Sequence, residues 1–429
     1  MKKLIIILLA AAAIGLAHAG VNIEHWIAPS GAGVYFAEAH QLPILDVQVD
    51  FSAGSAYDPA GKAGLAALTH GLLDAGAGDL DEEAIAGKLS DIAAHLSGSV
   101  DNDRAGLSLR TLSNQTEREA ALNLMRLVLT RPTFPEAVVT RERARTVAAI
   151  QEADTRPDSI AARRFAAAIY PGHPYGVTAV AASVGSLSRD DLIGFYHDRY
   201  AAKRAVISII GDVSRAEAER IAQFLSADLP AGTAETPVAA VTLPEAATIG
   251  IAHPATQSHI LIGMPAVRRG DPDYFPLLVG NYTLGGGGFV SRLVNEVREK
   301  RGYAYSVYSY FEPRKLAGPF QIGLQTKREQ AADAIKVVNG VVDGFMRDGP
   351  TEAELAAAKK NLIDGFGLRI DSNAKLLGYL STIGFYGLPL TYLDEFPGKV
   401  AAVTAKQVRE AFARHVSSGH LVTVVVAGD

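Results

Sequence analysis

The chain contains no cysteine. That excludes disulfides, thiolate metal ligands and a thiol nucleophile. It is also short of positive charge, with 41 Lys and Arg against 46 Asp and Glu. A general nucleic-acid binder needs a basic field to meet phosphates, so that class is excluded too. After the first twenty residues, no apolar run is long enough to span a bilayer. Familiar hydrolase patterns are missing: there is no HExxH, no HxxEH and no G-x-S-x-G. SNAK, Ser372 to Lys375, has Ser-x-x-Lys spacing, but no K-T-G follows it, so a Ser-Lys hydrolase lacks its companion elements. The run Gly285-Gly286-Gly287-Gly288 lacks the Lys-Ser/Thr of a phosphate loop.

What is present begins with MKKLIIILLAAAAIGLAHAG. Lys2 and Lys3, an apolar core and Ala17-His18-Ala19 have the form of a cleaved secretory signal over residues 1–19. The mature chain then has no membrane span. An exported chain without disulfides suits a bacterial periplasm, which is the expected location. The remaining length and the 48% apolar content are enough for two packed units.

Residues 231–248, small, polar and punctuated by proline, read as a linker. It separates an N-terminal lobe, 20–230, from a C-terminal lobe, 249–429. The lobes resemble each other. DDLIGFYHDRYAAKRAVISIIGDV (190–213) and AKQVREAFARHVSSGHLVTVVVAGD (405–429) each give an amphipathic helix, a break, and an apolar β-branched strand closing in Gly-Asp. FPEAVVTRERARTVAAIQ (134–151) parallels GPTEAELAAAKKNLIDGF (349–366). An internal duplication is the economical explanation. Runs of strands and runs of helices predict an α+β fold: two homologous lobes, each an antiparallel or mixed sheet covered by helices.

GLAALTHGLLDAGAG, Gly64 to Gly78, has the period of a helix and carries one histidine. Catalytic zinc needs about three protein ligands and one open position. His70 and Asp74 lie one turn apart, but two ligands do not make such a site. His253 and His259, placed on one strand, are too far apart to share a metal. His415 and His420 suit one helical face poorly.

LGGGGFVSRLVNEVREKRGYAYSVYSYF, Leu284 to Phe311, is richer. The glycines permit tight turns and close backbone approach. Leu293, Val294 and Val297 form an apolar stripe, and Gly302 ends the helix. Simple alternation in the following strand puts Tyr303, Tyr305 and Val307 on one face, and Tyr308 and Tyr310 on the other. A guanidinium fork beside a phenol can grip a peptide carbonyl or carboxylate. The same residues also fit a solvated basic helix with tyrosines packed over a sheet.

Along nearly its whole mature length the chain resembles the pitrilysin, insulinase and mitochondrial-processing-peptidase family of inverted-motif zinc peptidases. The resemblance rests on SRLVNEVREKRGYAYSVYSY, on YPGHPYG (170–176), on the duplicated strands and on the glycine run. It implies that Arg298 and Tyr305 hold substrate backbone, with Gly285, Gly286, Gly287 and Gly288 handling the peptide. Against the family's Gly-x-Ala-His-x-x-Glu-His frame, Gly64, Ala66, Leu72, Leu73 and Gly76 are kept. The first His falls on Ala67, the general-base Glu on His70 and the second His on Gly71, while the distal Glu falls on Ala149. The resemblance therefore implies a chain with no zinc of its own. Such a chain pairs with an HxxEH-bearing homologue that carries the zinc, and acts on unfolded peptide. A stand-alone periplasmic peptide holder is the alternative.

Overall fold

A computed structural model describes residues 21–233 and 237–427. The expected leader, 1–19, and the closing Gly428-Asp429 lie outside the described residues. No helix among the described residues is long and apolar enough to cross a membrane.

The first half supplies strands β1 (Glu24–Ile27), β2 (Gly33–Glu38), β3 (Ile44–Phe51), a short pair β4 (Gly76–Ala77) and β5 (Leu80–Asp81), then β6 (His95–Val100), β7 (Ala105–Leu112) and β8 (Val206–Gly211). The second half supplies β9 (Ala247–Ile251), β10 (Gln257–Val267), β11 (Ala304–Phe311), β12 (Gly318–Lys327) and β13 (Val422–Val426). The first sheet runs β1-β2-β8-β3-β7-β6, and the second runs β9-β13-β10-β12-β11. Each has one parallel pair, β2 with β8 and β9 with β13, and is otherwise antiparallel. Removing β1 leaves the same order twice. The duplication is therefore structural, and each lobe is a mixed sheet covered by helices.

The strands form where the sequence alternates. Leu45, Val47, Val49 and Phe51 of β3 are fully buried against helices. The covering helices start where side chains cap them. Asn114, Ser188, Ser214, Thr351 and Thr404 each accept a bond from a backbone N–H in the first turn.

Two helices cross between the halves. Pro157–Ile169, from the first half of the chain, packs on β10 and β13. Asn373–Tyr386, from the second half, packs on β8 and β3. Gly384 makes that second approach possible, because a Cβ there would come 2.6 Å from Val206 Cγ1. The β6–β7 turn also reaches across. Asp103, 3% exposed, accepts from Lys315 N at 2.8 Å, from Tyr386 OH at 3.1 Å and from Tyr175 OH. Beside it, Ser381 Oγ donates to Asp50 Oδ2 at 2.7 Å. Arg104 lies 3.7 Å from the same carboxylate.

Candidate functional site

The helix Leu65–His70 is short because glycines bound it. Gly64 at its entry has φ +98°, and Gly71 closes it. The helical period over Gly64 to Gly78 thus extends beyond the helix, and turns and the short strand β4 replace its last part. Asp58 holds the entry, accepting from Gly64 N and Ala66 N at 2.7 Å each. Burial outweighs those bonds and pushes its carboxyl up to about 6. Ala67 and Gly71 face solvent, and so does Ala149 on the helix Glu136–Ala153. His70 instead turns inward. Its ring packs on Gly98 of β6, where a Cβ would overlap it, and its Nδ1 lies 3.5 Å from Tyr200 OH. Burial pulls its pKa down to about 4, so the imidazole is neutral at physiological pH. Asp74 is exposed and does not pair with it.

In the second lobe, the helix Tyr274–Asn281 continues into a wider turn over Tyr282–Gly286. The switch to i→i+5 bonding shows at Gly287 N, which donates to Tyr282 O at 2.8 Å. A second wide turn, Val294–Glu299, closes with Lys300 N donating to Asn295 O at 3.0 Å. Such turns rotate side chains out of the ordinary helical register and recur at functional sites. Leu293, Val294 and Val297 are buried as the stripe predicted, and Gly302, φ +64°, ends the segment.

Between these turns and β11 lies a hollow of about 530 Å³. Gly285, Gly286, Gly288, Phe289, Arg298 and Tyr305 are on its wall. Gly287 is not. Gly285 sits where a Cβ would come 2.6 Å from Ser309 N. Gly288 has φ +60°, a backbone state that favours glycine. Asn281 and Ser309 fasten the hollow's floor through a reciprocal pair of bonds, 2.9 Å from Asn281 Nδ2 to Ser309 O and 2.7 Å from Ser309 Oγ to Asn281 Oδ1.

Arg298 and Tyr305 meet here. The guanidinium carbon of Arg298 lies 4.9 Å from the Tyr305 ring centroid and 4.8 Å from that of Phe289. The cation is held between two aromatic faces. Its Nε lies 3.3 Å from Glu299, and its terminal amino groups make no hydrogen bond to a described residue. A stacked guanidinium keeps its donors in one plane, edge-on to whatever enters. The other cations of this segment are committed elsewhere. Arg292 holds Glu354 with two bonds of 2.8 and 2.7 Å, and that bond keeps the Glu354 carboxyl at about 2. Lys300 and Arg301 both hold Glu296.

The alternation expected for β11 fails at one point. Ala304 pairs with Thr326, but Val307 pairs with Leu324, so three steps on β11 match two on β12. This bulge turns Tyr305 away from Val307. Tyr305 is 85% exposed whereas Val307 is 3% exposed, and the hollow receives Tyr305, Tyr308 and Tyr310 together. Tyr308 and Tyr310 stack with centroids 6.0 Å apart. Burial pushes the Tyr310 phenol up to about 12, so it stays a neutral donor.

Known proteins resemble this chain in sequence and fold. One family model, described as insulinase (peptidase family M16), matches residues 34–182. A second, described as peptidase M16 inactive domain, matches residues 186–362. The crystal structure of a peptidase M16 inactive domain from Pseudomonas fluorescens has 36% identity and a TM-score of 0.92, covering 95% of this chain and 98% of that one. The chain belongs to peptidase family M16. Among other M16 relatives, a protein named non-peptidase homolog YmxG from Helicobacter pylori is 24% identical over 430 residues, 100% of this chain and 99% of its own. An uncharacterized zinc protease of Mycobacterium tuberculosis is 31% identical over 275 residues, covering 62% of this chain and 61% of that protein.

At the positions that the resemblance assigns to metal ligands, the residues of this M16 chain do not fit zinc. Zinc requires side-chain donors, and Ala67, Gly71 and Ala149 have none. Among the described residues, the side chains grouped closely enough to hold an ion are Asp271, Asp273 and His415, on a different part of the second lobe. There Arg414 already clasps Asp273 with two bonds of 2.8 Å. His253 lies in the link before β10, not on the strand that carries His259, and bonds Thr155 O at 3.1 Å. Ser372 caps the helix Asn373–Tyr386, and Lys375 Nζ donates to Leu368 O at 2.7 Å, so neither forms a nucleophile–base pair. The sequence reading missed Phe289 and the Asn281–Ser309 clasp. An apolar residue directly after four glycines was the available signal for Phe289.

Proposed function

We propose that this M16 chain is the substrate-gripping subunit of a periplasmic heterodimeric zinc metallopeptidase and has no hydrolytic centre of its own. Its partner is an HxxEH-bearing homologue, which supplies the metal chemistry and activates water. This chain supplies Arg298, which bonds a carbonyl or carboxylate of an unfolded peptide, and Tyr305, which donates to the carbonyl oxygen as negative charge develops there. One observation carries the reading. Arg298 lies against Phe289 and Tyr305 with its terminal amino groups unbonded among the described residues at an open hollow, while the helix Leu65–His70 and its cap have no side-chain donor for a metal at Ala67 or Gly71.

The test is reconstitution with the HxxEH-bearing homologue. Arg298→Ala and Tyr305→Phe are expected to lower turnover by about a hundred- to a thousand-fold, the usual cost of losing one such donor. The subunits should still associate. Wild-type rates from both variants would refute the assignment. The second reading is a peptide holder that works alone. A neighbouring reading frame encoding HxxEH speaks for the pair, and its absence for the holder.

A further inference from the structure

Phe289 and Val290 are 70% and 69% exposed, although both are large and apolar. The exposure is built in. Gly288 takes φ +60°, and Ser291, fully buried, ties the turn shut by donating from N and Oγ to Gly288 O at 2.9 and 2.7 Å. The two intervening side chains are thereby held at the tip of a fastened turn. Leaving a side chain of this kind in water forgoes about 1.5–3 kcal/mol of burial. Phe289 shares the hollow's wall with Tyr305, 85% exposed, and Tyr308, 42% exposed, and they make one aromatic patch beside Arg298. Contiguous exposed apolar surface of this kind marks a binding site. The charged side chain on the hollow's wall is Arg298, whose Nε also lies 3.3 Å from the exposed Glu299, and Glu296 is held by Lys300 and Arg301.

We infer that Phe289 is a specificity-determining side chain that selects peptides carrying a bulky apolar residue next to the carbonyl or carboxylate held by Arg298. This rests on the peptide-gripping reading above. The chemistry is complementary on both counts: a cation for the oxygen, and an aromatic face for the apolar group. Because the Phe289 ring also covers one face of Arg298, the two contacts share a wall. A peptide that satisfies both closes the hollow against water and strengthens the Arg298 bond.

The experiment uses the mature chain and two dye-labelled, unstructured peptides that differ only in a central Phe or Ser. Binding is followed by fluorescence anisotropy. Wild type is expected to bind the Phe peptide about tenfold more tightly than the Ser peptide, the size of one good apolar contact. Phe289→Ala should bring that ratio near one, and Phe289→Leu should restore part of it. Arg298→Ala should weaken both peptides, the Phe peptide more, and so lower the ratio without bringing it to one. A wild-type ratio near one overturns the inference, as does a Phe289→Ala variant that keeps the tenfold ratio. Unchanged binding of both peptides by Arg298→Ala would instead overturn the gripping role of Arg298 and leave the apolar selection standing. Phe289 is on the surface, so a thermal melt of the variant should match wild type.

Discussion

Arg298 shows how two neighbours make a surface cation usable. A free arginine side chain gives up rotamer freedom when it binds. Stacked between Phe289 and Tyr305, this one has already given up most of it, so less is lost on contact with a peptide. His70 is the converse, a polar residue taken out of use by burial. Its pKa of about 4 in the fold compares with about 6.5 in an unfolded chain. Below about pH 6.5 the unfolded chain takes up a proton that the folded one refuses. The His70 contribution to stability therefore falls as the pH drops from about 6.5 to about 4. Asp58 has the opposite sign: with its carboxyl at about 6, the fold takes up a proton first on acidification. Thermal melts of wild type and His70→Leu across this range isolate the histidine term, and the variant should lose less stability than wild type on acidification. Parallel pH profiles would show that His70 is not buried as described. Arg298 and Tyr305 were legible in the sequence as a fork and a phenol with family spacing. Phe289 was not, because hydrophobicity alone places a phenylalanine in the core. Its exposure comes from a turn that Ser291 ties.

At the scale of the element, one bulge decides the site. With strict alternation, β11 would turn Tyr305 toward the sheet side that buries Val307. With the extra residue between Ala304 and Val307, Tyr305 is exposed while Val307 stays buried. The strand itself was readable from its aromatic and β-branched residues, but the bulge was not, since residue identities alternate similarly on either side of it. The packing of Gly285 against Ser309 sets the depth of the hollow. Gly285→Ala is expected to destabilise the protein by about 1–3 kcal/mol, the range for an overfilled close contact. Denaturant midpoints measure it, and an unchanged midpoint would show that the helix can move away freely. The duplication adds a comparison. In each lobe a helix after the central strand packs on the edge strand, His70 against Gly98 of β6 and Gly285 against Ser309 of β11. The degenerate metal motif and the Arg298–Tyr305 hollow therefore occupy equivalent places in the two repeats.

At the scale of the molecule, the lobes are locked by exchange. Pro157–Ile169 and Asn373–Tyr386 each pack on the other half's sheet, and Asp103 ties the β6–β7 turn to Tyr175, Tyr386 and Lys315. Replacing Asp103 with Ala leaves three donors without their acceptor in a buried setting. The expected loss is about 3 kcal/mol or more, read as a lower denaturation midpoint. A loss below about 1 kcal/mol would mean that water satisfies those donors equally well. The two homologous lobes and the mixed sheets were readable from repeated helix–strand endings. The crossed helices were not, because an amphipathic stripe says that a helix is covered and not which sheet covers it. Holding the lobes rigidly keeps the hollow at a fixed position relative to the face that carries Ala67 and Gly71. If the fold grips peptide without metal chemistry of its own, the purified chain alone should hold far less than one zinc per chain and cleave no peptide above background. Zinc content and peptide hydrolysis of that chain measure this directly. Stoichiometric zinc together with unaided cleavage would refute the peptide-gripping, metal-free role.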